Sequence, residues 1–346
     1  MKFYLAPMEG LTTYNFRTAW NRYYGGMDKY FTPFICNRNM NSKERNDVLP
    51  EHNVGMNTVP QILTNKAEEF LELARILAEL GYREVNLNLG CPSGTVVSRK
   101  RGAGFLSVPG ELDAFLDEIF SKCAIPISIK TRIGMTSLGE WSGLLDIFEK
   151  YPIAELTIHP RLQAEGYRGT PHTEAYAEAA SRLSCPLCYN GDITSKEALD
   201  KITDALPGVS AVMVGRGILQ DPGLLNKLKA DDTGNRDTDP VERGKTLREF
   251  HDVLLDGYQE IMSGDTNTLY KMKDLWTFLS KSFVSPEKQV KKIRKSTDIA
   301  TYKLAVDALF RECLLKIPSV YAPPHHPRGT VQHTKDIAEG YGRNYQ

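Results

Sequence analysis

The 346-residue chain lacks the apolar run that a membrane-spanning helix needs: no stretch approaches about 18 consecutive apolar residues. Its first residues, MKFYLAPMEG, have too short an apolar core for a secretory signal and meet an acid at Glu9. Net charge is also missing, with 43 Lys and Arg against 43 Asp and Glu, so an anionic partner has to be met by a local patch. Cysteine is sparse. The six residues at 36, 91, 123, 185, 188 and 313 do not form a disulfide framework, which implies a reducing, cytoplasmic setting. The one close pair, Cys185 and Cys188 in CPLC, falls in a strand-like run, where residues three apart face opposite ways. No second pair completes a zinc set, and no metal site is expected. A dinucleotide fingerprint is absent too. The nearest match, GAGFLS (102–107), follows a basic loop rather than a strand.

What is present is ordinary globular composition, 41% hydrophobic and 25% charged, arranged in alternation. Short apolar runs stand at 3–7, 29–35, 58–63, 84–89, 125–131, 155–160, 185–191 and 210–215. Helix-periodic stretches lie between them. The stretch 65–81 puts Phe70, Leu73, Ala74 and Leu77 on one face, and 110–123 and 195–206 read the same way, with Gly110 and Ser195 as candidate caps. Strand–helix alternation implies parallel strands with right-handed crossovers, and eight units fit a closed (β/α)8 TIM barrel over 1–229. An open doubly wound sheet is the alternative. The polar stretch 229–244 reads as a linker, 241–316 as a small helical domain without strands, and 317–346 as a Pro- and Gly-rich arm or disordered tail. His325, His326 and His333 in that tail are read as facing water.

In such barrels, reactive groups collect at the C-terminal ends of the strands. Here those ends carry Pro7 and Met8; Gln61; Asn88 and Cys91; Lys130 and Arg132; His159 and Arg161; Asn190, Gly191 and Asp192; and Gly215, Arg216 and Gly217. Each polar residue alone reads as a satisfied core group, but buried charges need partners, and seven such ends argue for one shared site. The glycines after the seventh and eighth runs admit a close backbone approach, and Arg216 adds a forked donor, as in a phosphate seat. One seat without a dinucleotide fingerprint favours a mononucleotide cofactor, with Lys130, Gln61 and His159 free to hydrogen-bond a polar heterocycle. Cys91 raises a separate question, because it sits between a glycine and a proline where a strand must stop.

The motifs APMEGLT, NLNLGCP followed by GAGFL, KTRIG, IHPR, YNGDI and VMVGRGIL together resemble the tRNA-dihydrouridine synthase family, FMN-dependent enzymes that reduce uridine in RNA, over about 1–220. The resemblance implies FMN held by Pro7, Met8, Gln61, Lys130, His159, Asn190, Gly191, Gly215 and Arg216, with Asp192 grouped among them, and NADPH as the reductant. It implies Cys91 as the proton donor to the uracil ring, and Asn88, Arg132 and Tyr167 as groups that grip the flipped base. The helical stretch 241–316, with MKDLWTFL at 272–279, is similar to the family's RNA-binding domain.

The chemistry agrees. Reducing the uracil 5,6-double bond takes a hydride, which a cofactor supplies, and a proton, which a thiol of ordinary pKa, about 8.5, still carries at neutral pH. Gly90 and Pro92 would turn the chain so that Cys91 presents that thiol at the barrel mouth. A base inside folded RNA has to leave its stack, which requires phosphate contacts around the site. Two basic clusters offer them: Arg99, Lys100 and Arg101, and the segment 271–316, with 11 Lys and Arg against 5 Asp and Glu. The sequence therefore points to an RNA substrate, with tRNA the first expectation. The alternatives are ribosomal RNA, an FMN barrel acting on a free small molecule, and an RNA-binding scaffold without turnover.

Overall fold

The strand segments VNLNL, ISIK and LTIH share a pattern that fixes the architecture. In the computed structural model, which describes residues 1–230 and 239–316, eight strands run in sequence order. They are β1 (Lys2–Leu5), β2 (Lys29–Ile35), β3 (Thr58–Ile62), β4 (Val85–Leu89), β5 (Ile127–Arg132), β6 (Leu156–His159), β7 (Leu187–Tyr189) and β8 (Ala211–Val214). All pairings are parallel, and β1 pairs with both β2 and β8, closing a TIM barrel and excluding the open sheet.

Successive strand residues face opposite sides of the sheet. Val85, Leu87 and Leu89, with Ile127 and Ile129 and with Leu156 and Ile158, belong to the apolar layer under the helices. The residues between them turn to the lumen: Asn86 and Asn88, Ser128 and Lys130, Thr157 and His159. Helix Ala67–Glu79 buries Phe70, Leu73, Ala74 and Leu77 in the outer layer, as its periodicity implies. A smaller cluster of Tyr4, Ala6, Phe31, Val59, Cys188, Ala211 and Met213 fills the lumen. Cys185 packs into the outer layer and Cys188 into the inner one, so the CPLC pair is split between faces.

Two local features follow from residue chemistry. Pro33 has no N–H to donate, and the β2–β3 register shifts between Phe31 and Phe34. There the hydroxyl of Thr32 accepts the Gln61 N–H at 3.1 Å. Ser195 caps helix Lys196–Ala205 by accepting from the Ala198 N–H at 3.2 Å. Gly110 is not a cap. Helix Pro109–Lys122 begins one residue earlier with Val108 as its N-cap, because proline at the first position leaves one amide fewer to satisfy.

Four longer helices follow: Pro240–Ile261, Gly264–Leu279, Glu287–Lys295 and Ile299–Glu312. They belong to the same compact unit as the barrel, Met1–Leu315. Phe250 meets Phe16 edge-on at 5.7 Å, and the Asn15 amide donates to the Leu254 carbonyl at 3.2 Å. Lys271 donates to the Gly10 carbonyl at 3.1 Å. Inside the bundle, His251 Nε2 and Trp276 Nε1 each lie 2.7 Å from the Tyr302 hydroxyl. Residues 231–238 of the expected linker, and the arm at 317–346, lie outside the described residues.

Candidate active site

The inward rows of β3, β4 and β5 form a continuous polar ladder. Asn86 donates to the Ser128 hydroxyl at 2.9 Å, Gln61 donates to the Asn86 side-chain oxygen at 2.8 Å, and Asn88 donates to the Gln61 side-chain oxygen at 2.7 Å. These groups are fully or nearly fully buried, and each satisfies its neighbour, as buried polar groups must. Above the ladder a cleft of about 1140 Å³, counting its open mouth, sits at the C-terminal ends of the strands. Pro7, Met8, Gln61, Asn88, Cys91, Lys130, Arg132, His159 and Tyr167 line it, together with Asn190, Gly191, Asp192, Gly215 and Arg216.

The turn that bears Cys91 is held on every side. Asn88 Oδ1 accepts the N–H of Gly90 at 3.0 Å and that of Cys91 at 2.9 Å. The Cys91 carbonyl accepts the Ala103 N–H at 3.1 Å. The GAG segment exists for this contact: a Cβ at Gly102 would lie 2.9 Å from the Cys91 carbonyl oxygen, and one at Gly104 would lie 2.6 Å from the Val97 carbonyl oxygen. Burial pushes the partly buried Cys91 thiol above its ordinary pKa, with Lys130 and Arg132 among the groups opposing the shift. The thiol is therefore protonated at neutral pH.

Lys130 reaches the cleft from β5, and its side chain makes no hydrogen bond or ion pair among the described residues. Burial, followed by the neighbouring Arg132, holds its pKa down at about 8. Burial, followed by Lys130, Arg132, Arg161 and Arg216, holds His159 well below its usual value, so the ring is neutral. Arg161, which can only donate, lies 3.2 Å from His159 Nε2. That nitrogen is therefore the acceptor, and Nδ1 carries the proton. Arg161 is fully buried, donates to the Gly169 carbonyl at 2.6 Å and pairs with Asp192, which also binds Arg216. The half-exposed Tyr167 ring lies 4.4 Å from the Arg216 guanidinium and 5.9 Å from the His159 ring. Two guanidiniums, Arg161 and Arg216, share the single Asp192 carboxylate, which leaves this end of the cleft with a cationic surplus suited to an anion. The unpartnered Lys130 beside it suits the polar edge of a heterocycle, so the residues present fit a phosphorylated flavin.

Several of the residues expected to meet the substrate are also engaged within the chain. Asn88 spends its side chain on the Cys91 turn and on Gln61. Arg132, 1% exposed, spends its guanidinium on the carbonyls of Gly90 (3.0 Å), Leu162 (2.9 Å) and Gly166 (2.8 Å). Arg99, Lys100 and Arg101 do not line the cleft. Lys100 pairs with Glu111 at 2.9 Å and Arg101 with Glu69 at 3.3 Å, while exposed Arg99 has no ion pair among the described residues.

A family model described as dihydrouridine synthase matches residues 4–312 of this chain. The chain belongs to that family. It is 31% identical over 234 residues to the probable tRNA-dihydrouridine synthase 2 of Bacillus subtilis (strain 168), covering 65% of this chain and 71% of the relative. It is 30% identical to the tRNA-dihydrouridine(16) synthase of Pseudomonas putida, covering 73% and 79%, and 27% identical to the tRNA-dihydrouridine synthase B of Pasteurella multocida, covering 75% and 77%.

Two residues of this family member carry more of the site than their sequence suggested. Arg161 stood among the strand-end residues without a role, although a charged residue two positions after an inward-facing histidine was a signal that it is enclosed. Gln163, which donates to the Pro92 carbonyl at 3.2 Å, gave no signal at all. Among the described residues, no group of three or more His, Cys, Asp or Glu could hold a metal ion, and no helix is long and apolar enough to cross a membrane.

Proposed function

We propose that this chain reduces uridine to dihydrouridine in tRNA, using FMN reduced by NADPH, with Cys91 as the acid that protonates the uracil ring. The observation that carries the reading is the placement of a protonated thiol and an unpartnered lysine in one cationic cleft. Lys130, Gln61 and His159 Nδ1 would hold the flavin's polar edge, and Gly191, Gly215 and Arg216 its phosphate. Pro7, Met8 and Asn190 would wall the cofactor, with Asp192 and Arg161 fixing the Arg216 guanidinium. Bound flavin supplies the hydride for the double bond. Everything else falls to the chain: Tyr167 offers an aromatic surface for a flipped base, and the Cys91 Sγ–H supplies the proton to the ring carbon that the hydride does not reach.

RNA as the substrate is supported by helix Glu287–Lys295. It buries Gln289, Val290 and Ile293 and leaves Lys288, Lys291, Lys292, Arg294 and Lys295 exposed, without an ion pair among the described residues. In a chain of zero net charge, five unpaired cations on one short helix suit a phosphate backbone. The names of the relatives make tRNA the choice over ribosomal RNA. The six free cysteines suit a reducing cytoplasm. Mapping dihydrouridine in the RNA of a strain lacking this protein tests the reading. Loss of the base from tRNA is expected. Loss from ribosomal RNA alone would move the substrate, and an unchanged map would overturn the reading.

A further inference from the structure

Besides its backbone bond to Ala103, the turn around Cys91 is tied to the loop after β6, and those ties are side chains. Arg132 Nε donates to the Gly90 carbonyl, just before the thiol, and Gln163 Nε2 donates to the Pro92 carbonyl, just after it. The two remaining Arg132 bonds run to Leu162 and Gly166 in the loop after β6, which also contains Gln163 and carries Tyr167. That loop is itself braced: Glu165 accepts the Leu162 N–H at 2.6 Å and lies 2.8 Å from His172 Nε2. The Arg132 guanidinium also lies 5.6 Å from the Tyr167 ring. A buried guanidinium with no carboxylate partner is costly in a core, and here three backbone carbonyls from two loops satisfy it.

We propose that Arg132 and Gln163 are positioning residues that couple the Cys91 turn to the Tyr167 loop, so that acid and aromatic wall form one rigid unit. Arg132 on this reading acts through Gly90, Leu162 and Gly166. The catalytic meaning of the unit rests on Cys91 being the acid proposed above, but the unit itself does not. A fixed acid needs such support, because a displacement of about 1 Å costs much of its effect.

The test is the rate at which iodoacetamide alkylates Cys91 in the full-length flavoprotein, followed by peptide mapping and taken to its pH-independent limit so that a changed thiol pKa does not intrude. Arg132→Gln is expected to speed alkylation about tenfold or more, and Gln163→Ala about threefold, the scale of losing bonds from a charged and a neutral donor. On RNA, Gln163→Ala is expected to lower kcat with KM unchanged. Should Arg132→Gln fail to fold, Gln163→Ala decides alone. Alkylation of Cys91 within error of the parent rate in Gln163→Ala overturns the proposal, as does a pure rise in KM. Alkylation needs no RNA, so faster labelling in a protein that makes no dihydrouridine would keep the unit and reject the reaction.

Discussion

The side-chain oxygen of Asn88 accepts the backbone N–H of Cys91 at 2.9 Å, and the side-chain nitrogen of the same residue donates to Gln61 at 2.7 Å. One amide thus joins the proposed acid to the buried ladder of the barrel. Asn88→Ala strands two backbone N–H groups and the Gln61 oxygen in a buried site. The expected loss is about 1–3 kcal/mol, measured by denaturant unfolding of the flavin-free protein. A loss below about 0.5 kcal/mol would mean that water replaces the amide.

Lys130 gives the pH dependence of flavin binding. Its pKa near 8 means that the ammonium is present below pH 8 and is lost above it. An anionic ligand that needs the charge must then draw a proton on binding. FMN affinity is expected to fall above pH 8 by up to about tenfold per pH unit. In Lys130→Met the affinity should be lower throughout and flat across that range. Fluorescence titrations from pH 7 to 9.5 read both. A wild-type affinity independent of pH would remove Lys130 from the flavin site.

Helix Glu287–Lys295 gives the salt dependence of RNA binding. Each neutralised phosphate contributes about 0.7–0.9 to the slope of log affinity against log salt. Changing Lys288, Lys291, Lys292, Arg294 and Lys295 together to Gln is expected to weaken tRNA binding and flatten that slope, leaving flavin reduction by NADPH as in the parent. Filter binding at several salt concentrations measures it. An unchanged slope would make this face a solvated surface only.

The barrel was legible because its signal is local. In β4 the alternation of Val85, Leu87 and Leu89 with Asn86 and Asn88 records one face under helices and another in a polar lumen. Repeating such runs eight times leaves little choice of fold. The strand ends were legible for the same reason, and they assembled Lys130, His159 and Arg216 before any coordinates. What the sequence did not reveal depends on partners far away in the chain. Nothing near Arg132 announces that the carbonyls of Leu162 and Gly166 will meet it. Nothing near Lys100 and Arg101 announces Glu111 and Glu69. The pairings of Lys100 and Arg101, and the three carbonyls that Arg132 meets, were therefore not visible beforehand. Pro33 inside β2 was visible, but the hydroxyl of Thr32 that bridges the irregular register was not.

Single-turnover reoxidation of the reduced flavoprotein by an unmodified tRNA transcript, wild type against Cys91→Ala, tests the central claim most directly. Hydride passes from NADPH to flavin without a protein acid, so Cys91→Ala is expected to bind flavin and be reduced like the parent. Negative charge on the uracil ring then has no fixed proton to meet. Reoxidation by tRNA, with the gain of two hydrogens in the product read by mass spectrometry, is expected to slow by about 10²–10⁴. If the Cys91→Ala protein is reoxidised by tRNA at the wild-type rate, the thiol at the mouth of this barrel is not the acid.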